Sequence, residues 1–412
     1  MMKPKADFPT KGCRKELSLM VKNEVFTLPS QENIQTDLRE LCRGAIRVVL
    51  ELALEEELKS IIGAKRFERA AARHDHRNGT YMRRLMTSMG HVDLCVPRSR
   101  QSGSAGEVLG RYNRRTDDVD NAITSAYVCG VSSRDMQEIT TALMGEKLSR
   151  STVSRVAKKL DEQVAAMRGE KIEGPVPYLY LDATYVKMRW ARQVGNVAAL
   201  IAYAVGPDGY RKPLGVMLGA EEDADVWTEF LDELVGRGLT GVRLVIADAH
   251  KAIGAAVRHH LPEAEQQRCL VHFERNVLKK APRRLRNRLG KELSHIFAAE
   301  SRKDAKTRLE AFEAGLGSQL PESLECLRQG FTAATVFYDF PKAHWRFIRT
   351  TNGLERLNRE VKRRTDKIGA FPDRASALRL IVAVVLKSTR SWAYKQYLDV
   401  KLLETQAEKK AA

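Results

Sequence analysis

The sequence predicts a multidomain α+β chain in which a helical N-terminal region precedes an α/β domain with a mixed β-sheet. The chain has 412 residues, 43% of them hydrophobic, which is enough for about two to four domains with their own cores. Apolar positions before residue 172 recur mostly at helical spacing, whereas β-branched and aromatic runs begin at Tyr178. Three antiparallel strands followed by alternating helices and strands are typical of an α/β fold with a mixed sheet.

The charge of the chain points to a polyanionic partner. A formal net charge of +18 and a pI near 9.7 favour nucleic acid first and an anionic membrane surface second. No run approaches the roughly 18 apolar residues of a spanning helix, and the first residues lead into no signal-peptide core. We therefore expect a cytoplasmic protein with no membrane partner.

The cysteines argue against two common stabilising devices. There are six, scattered without a CxxC pair, which disfavours both a disulfide framework and a zinc ribbon. Cys269 and His272 have the spacing of half a zinc site, but no second half is present. The favoured interpretation is a buried cysteine beside a strand-end histidine, with metal binding as the alternative.

The N-terminal region divides into three predicted segments. Residues 1–35 are polar and are expected to be flexible. In residues 36–110, apolar residues first recur at helical spacing up to a break near Gly63. An alternating stretch over 77–98 then predicts a β-hairpin, and a Ser/Gly-rich stretch over 99–110 predicts a linker. Residues 111–172 have helical character throughout.

A helix-turn-helix layout is predicted within residues 111–172. Ser132 or Ser133 is expected to cap its first helix, and Gly145 lies in the turn before a second helix. That second helix would present short polar and arginine side chains to a major groove, although an ordinary helical hairpin remains an alternative. The predicted DNA contacts of this region are Arg134, Arg150, Ser151, Thr152 and Arg155.

The α/β domain is predicted to begin at residue 173 and to run to residue 272. Its predicted strands are Tyr178–Met188, Val194–Val205, Pro213–Gly219, Val242–Ala247 and Gln267–Val271, and its predicted helices are Ala224–Val235 and His250–His260. Residues 273–345 then form a basic helical insertion, residues 346–392 return to the domain as C-terminal helices, and residues 393–412 form a tail. The chain contains neither GxxxxGK[ST] nor GxGxxG, so no nucleotide cofactor is expected.

Three carboxylates lie in segments where their burial without a charged or hydrogen-bonding partner would cost free energy. Asp182 and Asp248 each close an apolar strand-like run, and Glu355 lies in a helical segment with six basic residues through Lys367. Such acids suggest oxygen ligands for hard cations beside a polyanion, although pairing of the aspartates with Lys or Arg is an alternative. Glu360 is the rival third acid. It lies about 140° around the helix from Glu355, so both cannot easily face one site.

Two basic surfaces flank the third acid. Between Arg275 and Arg308 there are twelve Lys or Arg residues, with Arg283 and Arg284 in the densest part. We interpret this run as a surface for backbone phosphates, with a solvated face as the alternative. The same two interpretations apply to the cations of the Glu355 helix, which are Arg356, Arg359, Lys362 and Arg363.

Four blocks of the sequence resemble the mutator-type bacterial insertion-sequence transposases. They surround Asp182 (residues 178–185), Asp248 (residues 245–250), Cys269 with His272 (residues 267–276) and Glu355 (residues 351–358). The resemblance extends from about residue 77 to residue 390, with the blocks in the family's order and a helical stretch before the glutamate. Ala247 departs from the serine that family members often have.

The resemblance implies a ribonuclease H-like catalytic domain with a DDE triad of Asp182, Asp248 and Glu355. It implies two Mg²⁺ or Mn²⁺ ions per active site, held by the three acids. DNA would be cleaved at the element's terminal inverted repeats and joined to target DNA, with a homodimer holding the two ends. Supporting roles at the active site are expected for His250, Cys269 and His272, with His250 either approaching the scissile phosphate or capping the next helix. Further DNA contacts are expected at Arg275, Asn276 and Asn352.

Three other functions are weighed against a transposase. A ribonuclease H-fold nuclease would share the acids but lack strand transfer. A transposase-derived regulator would bind DNA through residues 117–167 without catalysis, which the intact triad disfavours. An RNA-binding protein is disfavoured because only 7% of the residues are aromatic and none interleave with basic residues on a predicted β platform.

Overall fold

The computed structural model describes residues 34–101, 106–110, 112–145, 147–190 and 193–411, which form two compact units. The first unit comprises Met1–Ser125 with Ser133–Val156, and the second comprises Ala126–Ser132 with Ala157–Ala412. The prediction of a flexible segment over residues 1–35 lies almost entirely outside the described residues. The described part is a mixture of α-helices and β-strands, as the sequence predicts.

A long helix packed on a β-hairpin begins the first unit. Helix α1 (Ile34–Ile62) ends directly before Gly63, whose φ of 76° ends the helix where the sequence predicts a break. Strands β1 (Arg77–Thr87) and β2 (Gly90–Ser99) pair antiparallel, which confirms the predicted hairpin. Their inward-facing side chains and those of α1 form a buried core: Leu54, Leu85, Val92, Leu94, Val96 and Leu109. This packing orders the hairpin, which would be marginal alone.

Three short helices follow: α2 (Asp117–Val128), α3 (Asp135–Met144) and α4 (Arg150–Ala157). The predicted serine cap of α3 is wrong. Helix α3 begins at Asp135, so its N-cap residue is Arg134 and not Ser132 or Ser133. The Arg134 side chain makes no capping hydrogen bond. Gly145 has φ 73° and its N–H donates to the Thr141 carbonyl, so the predicted glycine turn is present. Helix α4 is capped by Ser149, whose Oγ accepts from the Thr152 N–H at 3.1 Å.

A five-stranded mixed sheet organises the second unit. Its strands are β3 (Tyr178–Trp190), β4 (Gln193–Val205), β5 (Arg211–Gly219), β6 (Leu244–Ala247) and β7 (Glu265–Arg268). The spatial order is β5-β4-β3-β6-β7, in which β3, β4 and β5 pair antiparallel and β6 and β7 extend the sheet in parallel. The predicted order of three antiparallel strands followed by helix–strand alternation is confirmed.

The fifth predicted strand is too long at its C-terminal end. Strand β7 ends at Arg268, and a helix already begins at Leu270, so His272 is a residue of a first helical turn and not of a strand end. The reason lies in the spacing of the apolar side chains. Leu270, Phe273 and Val277 recur at helical intervals and are all buried, which favours a helix over continued strand pairing.

Helices cover the sheet and form most of the remaining unit. They are α5 (Asp161–Gly169), α6 (Ala224–Gly236), α7 (Lys251–His260), α8 (Leu270–Lys280), α9 (Arg286–Phe297), α10 (Arg302–Ala314), α11 (Pro321–Ala334), α12 (Trp345–Ile348), α13 (Asn352–Ile368), α14 (Arg374–Thr389) and α15 (Lys401–Ala411). Short 3₁₀ turns occupy Lys158–Leu160, Arg283–Leu285, Leu316–Gln319, Val336–Asp339, Lys342–His344 and Arg390–Tyr394. Residues 273–345 are thus helical, as predicted for the insertion.

The sheet separates two hydrophobic cores. Alternate residues of β3 face opposite sides, so that Tyr178 and Tyr180 enter one core while Leu179 and Leu181 enter the other. The tyrosine side packs against the C-terminal and inserted helices, and the leucine side against α6 and α7. Within the described residues, the chain has no helix that combines the length and apolar character needed to cross a membrane.

Candidate functional site

Asp182 and Asp248 lie at the same end of two adjacent parallel strands. Strand β3 pairs with β6 through Tyr178 opposite Leu244 and Tyr180 opposite Ile246, and Asp182 and Asp248 each follow two residues after this last pair. Asp182 is still within β3, whereas Asp248 directly follows the last residue of β6. Each carboxylate accepts the backbone N–H of the following residue, at 3.0 Å and 2.7 Å. The predicted meeting of the two strand ends is present in the fold.

Glu355 reaches this end of the sheet from helix α13. Leu354, Leu357 and Val361 form the buried stripe of α13, and the helix packs against β3. Glu355 lies beside that stripe in the first turn and is half-buried, with 24% of its side chain exposed. A largely polar helix with one apolar stripe therefore carries the third acid to the strand ends.

His272 connects the second and third acids. Its Nε2 lies 3.1 Å from Glu355 Oε1 and its Nδ1 lies 3.8 Å from Asp248 Oδ2. The pKa of His272 is raised to about 9, first by its hydrogen bond with the Cys269 side chain and then by the charges of Asp248 and Asp182, while burial acts in the opposite direction. The imidazole is therefore cationic near neutral pH and places a positive charge among the carboxylates.

Cys269 is buried between the strand end and the start of α13. Its backbone N–H donates to the Ala247 carbonyl at 2.7 Å, and its Sγ accepts from the N–H and hydroxyl of Thr351 at 3.3 Å and 3.2 Å. Burial alone would raise the pKa of the thiol, but hydrogen bonds from His272 and Thr351 bring it below its ordinary range. The predicted buried cysteine is thus confirmed, and it links the Asp248 strand to the Glu355 helix.

Asn358 is a site residue that the sequence prediction missed. Its Nδ2 donates to Asp182 Oδ2 at 2.8 Å, and it lies three residues from Glu355 on the same face of α13. The available signal was this spacing within the Glu355 block.

Burial raises the pKa of Asp182 to about 7, against the charge of His272, and the neighbouring Asp248 and Glu222 act in the same direction as burial.

Glu222 is a second residue that the sequence prediction missed. Its Oε2 accepts from the Tyr185 hydroxyl at 3.0 Å, and its Oε1 lies 3.8 Å from His250 Nδ1. His250 occupies the N-cap position of α7, but its side chain makes no capping hydrogen bond, so the capping alternative is wrong for the imidazole. Its side chain faces Glu222 instead, and no sequence pattern pointed to that acid.

Glu360, the rival third acid, belongs to a different contact set. Its carboxylate lies 3.2 Å from Arg363 and pairs more closely with Arg364, which is almost fully buried. The Arg364 guanidinium also donates to the Val128 carbonyl at 3.1 Å. These bonds lower the pKa of Glu360, with the Arg364 hydrogen bond as the largest cause. The carboxylate that lies beside His272 is Glu355.

The predicted DNA contacts fall into three groups. In the first unit, Arg134, Arg150, Ser151 and Arg155 are exposed and Thr152 is half-buried. In the second unit, Arg275, Arg283 and Arg284 are exposed and Asn276 is half-buried, and Arg275 lies 3.8 Å from Glu355 Oε1. The third group is exposed on α13: Asn352, Arg356, Arg359, Lys362 and Arg363.

A basic cleft of about 550 Å³ opens beside the first turn of α13. Its cations are Arg211, Arg346, Arg356 and Lys395, with Asn352 at the helix start. Arg211 is held between the rings of Trp392 and Tyr397, at 4.3 Å and 4.2 Å. Of these cations, Arg356 belongs to helix α13 and therefore shares one helix with Glu355.

The donor chemistry of the three acids fits a hard divalent cation. Carboxylate oxygens are the preferred ligands of Mg²⁺ and Mn²⁺, and buried Glu355 Oε1 and Asn358 Oδ1 have no hydrogen-bond partner among the described atoms. Across the described residues, no group of three or more His, Cys, Asp or Glu side chains is arranged to hold a metal ion as it stands.

Comparison with known proteins identifies the family. The sequence profile described as Transposase, Mutator family matches residues 20–395, which is almost the whole chain. The chain belongs to the Mutator family of transposases. It is 36% identical over 350 residues to the transposase for insertion sequence element ISRM5 of Rhizobium meliloti (strain 1021), covering 85% of this chain and 88% of that protein.

Other Mutator-family relatives show similar likeness. The chain is 35% identical over 367 residues to the transposase for IS1081 of Mycobacterium tuberculosis (strain ATCC 25618 / H37Rv), covering 88% of each protein. It is 33% identical over 387 residues to the transposase for IS256 in transposon Tn4001 of Staphylococcus aureus, covering 91% of this chain and 98% of the relative. The family match runs over residues 20–395, a range that contains the positions of all three acids, so a transposase is the class to which this chain belongs.

Proposed function

We propose that this Mutator-family chain binds the ends of an insertion sequence and catalyses metal-dependent DNA strand cleavage and strand transfer. Asp182, Asp248 and Glu355 are the proposed catalytic triad. The observation that carries the proposal is their convergence: two aspartates at the end of adjacent parallel strands, with His272 lying between Asp248 and Glu355. The antiparallel β3–β5 meander extended by parallel strands supports a ribonuclease H-like catalytic domain.

The proposed reaction consists of two phosphoryl transfers. In the first, water attacks a phosphodiester at the element end, its oxygen bonds to phosphorus, and the bond to the leaving 3′ oxygen breaks. In the second, the freed 3′-OH attacks a phosphodiester of the target, forming a new bond to phosphorus and releasing the target's 3′ oxygen. No covalent bond to the protein is required, and no residue acts as a nucleophile.

The three acids would hold two Mg²⁺ or Mn²⁺ ions. Such ions, when bound, increase the acidity of the attacking oxygen and stabilise the charge on the leaving one. Asn358 holds Asp182 in place through its 2.8 Å hydrogen bond, so that one oxygen of the carboxylate stays oriented. Cys269 connects the Asp248 strand to the start of α13 and so positions Glu355.

The cations around the triad are suited to DNA. Arg275 lies beside Glu355, and the exposed cations of α13 continue from the triad along one helix. Arginine and lysine contacts to phosphates position a duplex without reading its sequence. We propose that the exposed residues of α4 read the terminal repeats, and that two copies of the chain bring the two ends together.

The test is strand cleavage and joining on labelled DNA that carries the element's ends, with Mg²⁺, Mn²⁺ or EDTA. Wild type is compared with Glu355→Gln and with Glu310→Gln, which alters an exposed glutamate of α10. Metal-dependent joining that is lost in Glu355→Gln and kept in Glu310→Gln supports the proposal. Cleavage without joining of a pre-cleaved 3′-OH end would identify a nuclease. Binding without cleavage by the wild type would identify a regulator.

A further inference from the structure

The first unit contains a basic cleft that the catalytic proposal does not use. The cleft has a volume of about 1120 Å³ and is lined by the hairpin β1–β2 and by two further sets of residues. These are Gly110, Tyr112, Arg114 and Arg115, and Lys147, Leu148, Ser149 and Thr152. No described lining residue is acidic. Six lining side chains are Arg or Lys: Arg83, Arg84, Arg98, Arg114, Arg115 and Lys147. We call it the hairpin cleft. Its charge is concentrated well beyond the average of the chain, which favours an anionic occupant.

Several of these arginines are fixed by contacts within the unit. Arg83 donates to the Gly110 carbonyl at 3.1 Å and also to the Asn113 carbonyl, which fastens Gly110 and Asn113 to the hairpin. Arg98 lies 4.2 Å from the centroid of the Tyr81 ring. The hairpin cleft is therefore built before any ligand binds, and little ordering is needed on binding.

Two cations of the hairpin cleft are available to a ligand. Arg114 and Lys147 are exposed, and neither makes an ion pair with another described residue. Arg115, by contrast, pairs with Asp120 at 2.6 Å. Arg114 follows Asn113, which Arg83 fastens to the hairpin, and Lys147 precedes the start of α4, so the two cations come from different segments of the lining.

The start of α4 forms part of the wall that Lys147 occupies. Ser149 and Thr152 line the cleft at the N-terminus of α4, where backbone N–H groups and the helix dipole favour negative charge. The adjacent exposed residues Arg150 and Ser151 are those proposed to contact bases. A backbone bound in the hairpin cleft would therefore run next to the helix that enters a groove.

We infer that the hairpin cleft holds the sugar–phosphate backbone of double-stranded DNA, so that the hairpin and α4 engage the same duplex. The inference rests on the proposed function for its choice of DNA. One phosphate would fill only a small part of the cleft, whereas several cations from different segments of its lining suit successive phosphates of one strand. A single strand would need free aromatic faces for base stacking, but Arg98 covers Tyr81, leaving Tyr112 as the exposed ring among the described lining residues.

The experiment measures DNA binding by the full chain carrying Glu355→Gln, which prevents cleavage. Fluorescence anisotropy is recorded from low to moderate salt with a labelled terminal-repeat duplex, an unrelated duplex of equal length and the corresponding single strand. The test variant adds Arg114→Gln and Lys147→Gln. The matched control adds Arg69→Gln and Lys65→Gln, an exposed arginine and lysine of the same unit that do not line the cleft. Equal melting temperatures of the variants establish that folding is unaffected.

The inference predicts a sequence-independent loss in the test variant. Each lost phosphate contact lowers the slope of log affinity against log salt by about 0.9, so the double variant should lose about 2 in slope. Affinity for both duplexes should fall by a similar factor of at least about 10, with the control unchanged. Unchanged duplex affinity and slope in the test variant, while its parent still binds, would overturn the inference and leave the proposed function standing. A loss confined to the single strand would also overturn it. A parent that binds no DNA would overturn both.

Discussion

Asn358 donates a 2.8 Å hydrogen bond from its Nδ2 to Oδ2 of Asp182, across 176 residues of sequence. The bond joins helix α13 to strand β3 and therefore ties the element that carries Glu355 to the element that carries the first aspartate. Asp182 is half-buried, and a carboxylate oxygen withdrawn from water is left unsatisfied when it loses its donor. Asn358 thus helps to determine the orientation of the first acid.

Replacing Asn358 by alanine should reduce strand cleavage without abolishing DNA binding. A hydrogen bond to a charged group is worth about 1.5–3 kcal/mol, so a loss of about 10- to 100-fold in rate is expected. Single-turnover cleavage under saturating DNA measures the effect. The matched control is Asn287→Ala, at an exposed position of α9. A wild-type rate in Asn358→Ala would show that the bond has no part in positioning Asp182.

Removing the Cys269 acceptor should destabilise the second unit. In Cys269→Ala, the buried Thr351 N–H and hydroxyl both lose their Sγ partner, which should lower the free energy of unfolding by about 1–3 kcal/mol. Cys269→Ser keeps an acceptor and should lose less. All four tryptophans lie in this unit, so urea unfolding followed by tryptophan fluorescence reports it directly. Cys326→Ala is the control, and equal losses in the Ala and Ser variants of Cys269 would contradict the bridging role.

Glu355 and Glu360 should separate into catalytic and structural effects. Glu360→Gln weakens the contact with buried Arg364 and should cost about 1 kcal/mol of unfolding free energy, because Glu360 itself is partly exposed. Strand joining, measured at a temperature where the variant is folded, should stay within a few-fold of wild type. Glu355→Gln should show the reverse: near-normal stability and no joining. Loss of joining in Glu360→Gln at full folding would reopen the choice of the third acid.

The buried His344 should make the stability of the second unit depend on pH. Its Nε2–H donates to the Asp399 carbonyl at 2.8 Å and its Nδ1 accepts from the Tyr178 hydroxyl at 2.7 Å, so the neutral ring is fully bonded. Burial lowers the pKa of His344 below its ordinary value of 6.5, although the Asp399 carbonyl and charge oppose this. The unfolded state therefore takes up the proton first, and stability present above pH 6.5 is lost as the pH falls through the folded-state pKa.

The measurement is urea unfolding of wild type and His344→Gln at pH 7.5 and pH 5.5, read by tryptophan fluorescence. Glutamine offers a donor and an acceptor but does not titrate, so the variant should lose less stability between the two pH values than wild type does. An equal pH dependence in both proteins would assign the effect to other groups.

The sequence predicted the strands of the sheet and the places of the three acids, because apolar runs rich in β-branched and aromatic residues, and the carboxylates that close them, are local features. It failed where a short apolar run has no period of its own: the stretch after Cys269 was taken as strand but starts helix α8. It also missed Asn358 and Glu222, whose roles arise from contacts between distant elements. The places of the three acids could thus be predicted from their sequence blocks, whereas the residues that contact them required the tertiary structure.

Gly353 illustrates how a glycine in the Glu355 block is required by packing and should resist substitution. A Cβ added there would lie 2.7 Å from the Tyr203 hydroxyl oxygen and 3.3 Å from its Cζ. Tyr203 cannot retreat, because it is fully buried and stacks on Tyr180 with centroids 4.3 Å apart. Gly353→Ala should therefore force the first turn of α13 away from the sheet, at a cost of about 1–3 kcal/mol.

The displaced turn also carries Glu355, so Gly353→Ala should reduce strand joining by more than the loss of folded protein accounts for. Gly290→Ala is the matched control, because its nearest neighbour is a Leu278 methyl at 3.9 Å and alanine suits the interior of α9. That variant should keep its activity and gain about 0.5–1 kcal/mol of stability. Unfolding curves and strand-joining rates of the two variants are measured together. If Gly353→Ala has the wild-type stability and the wild-type joining rate, α13 tolerates the extra carbon, and the close approach to Tyr203 does not set the position of Glu355.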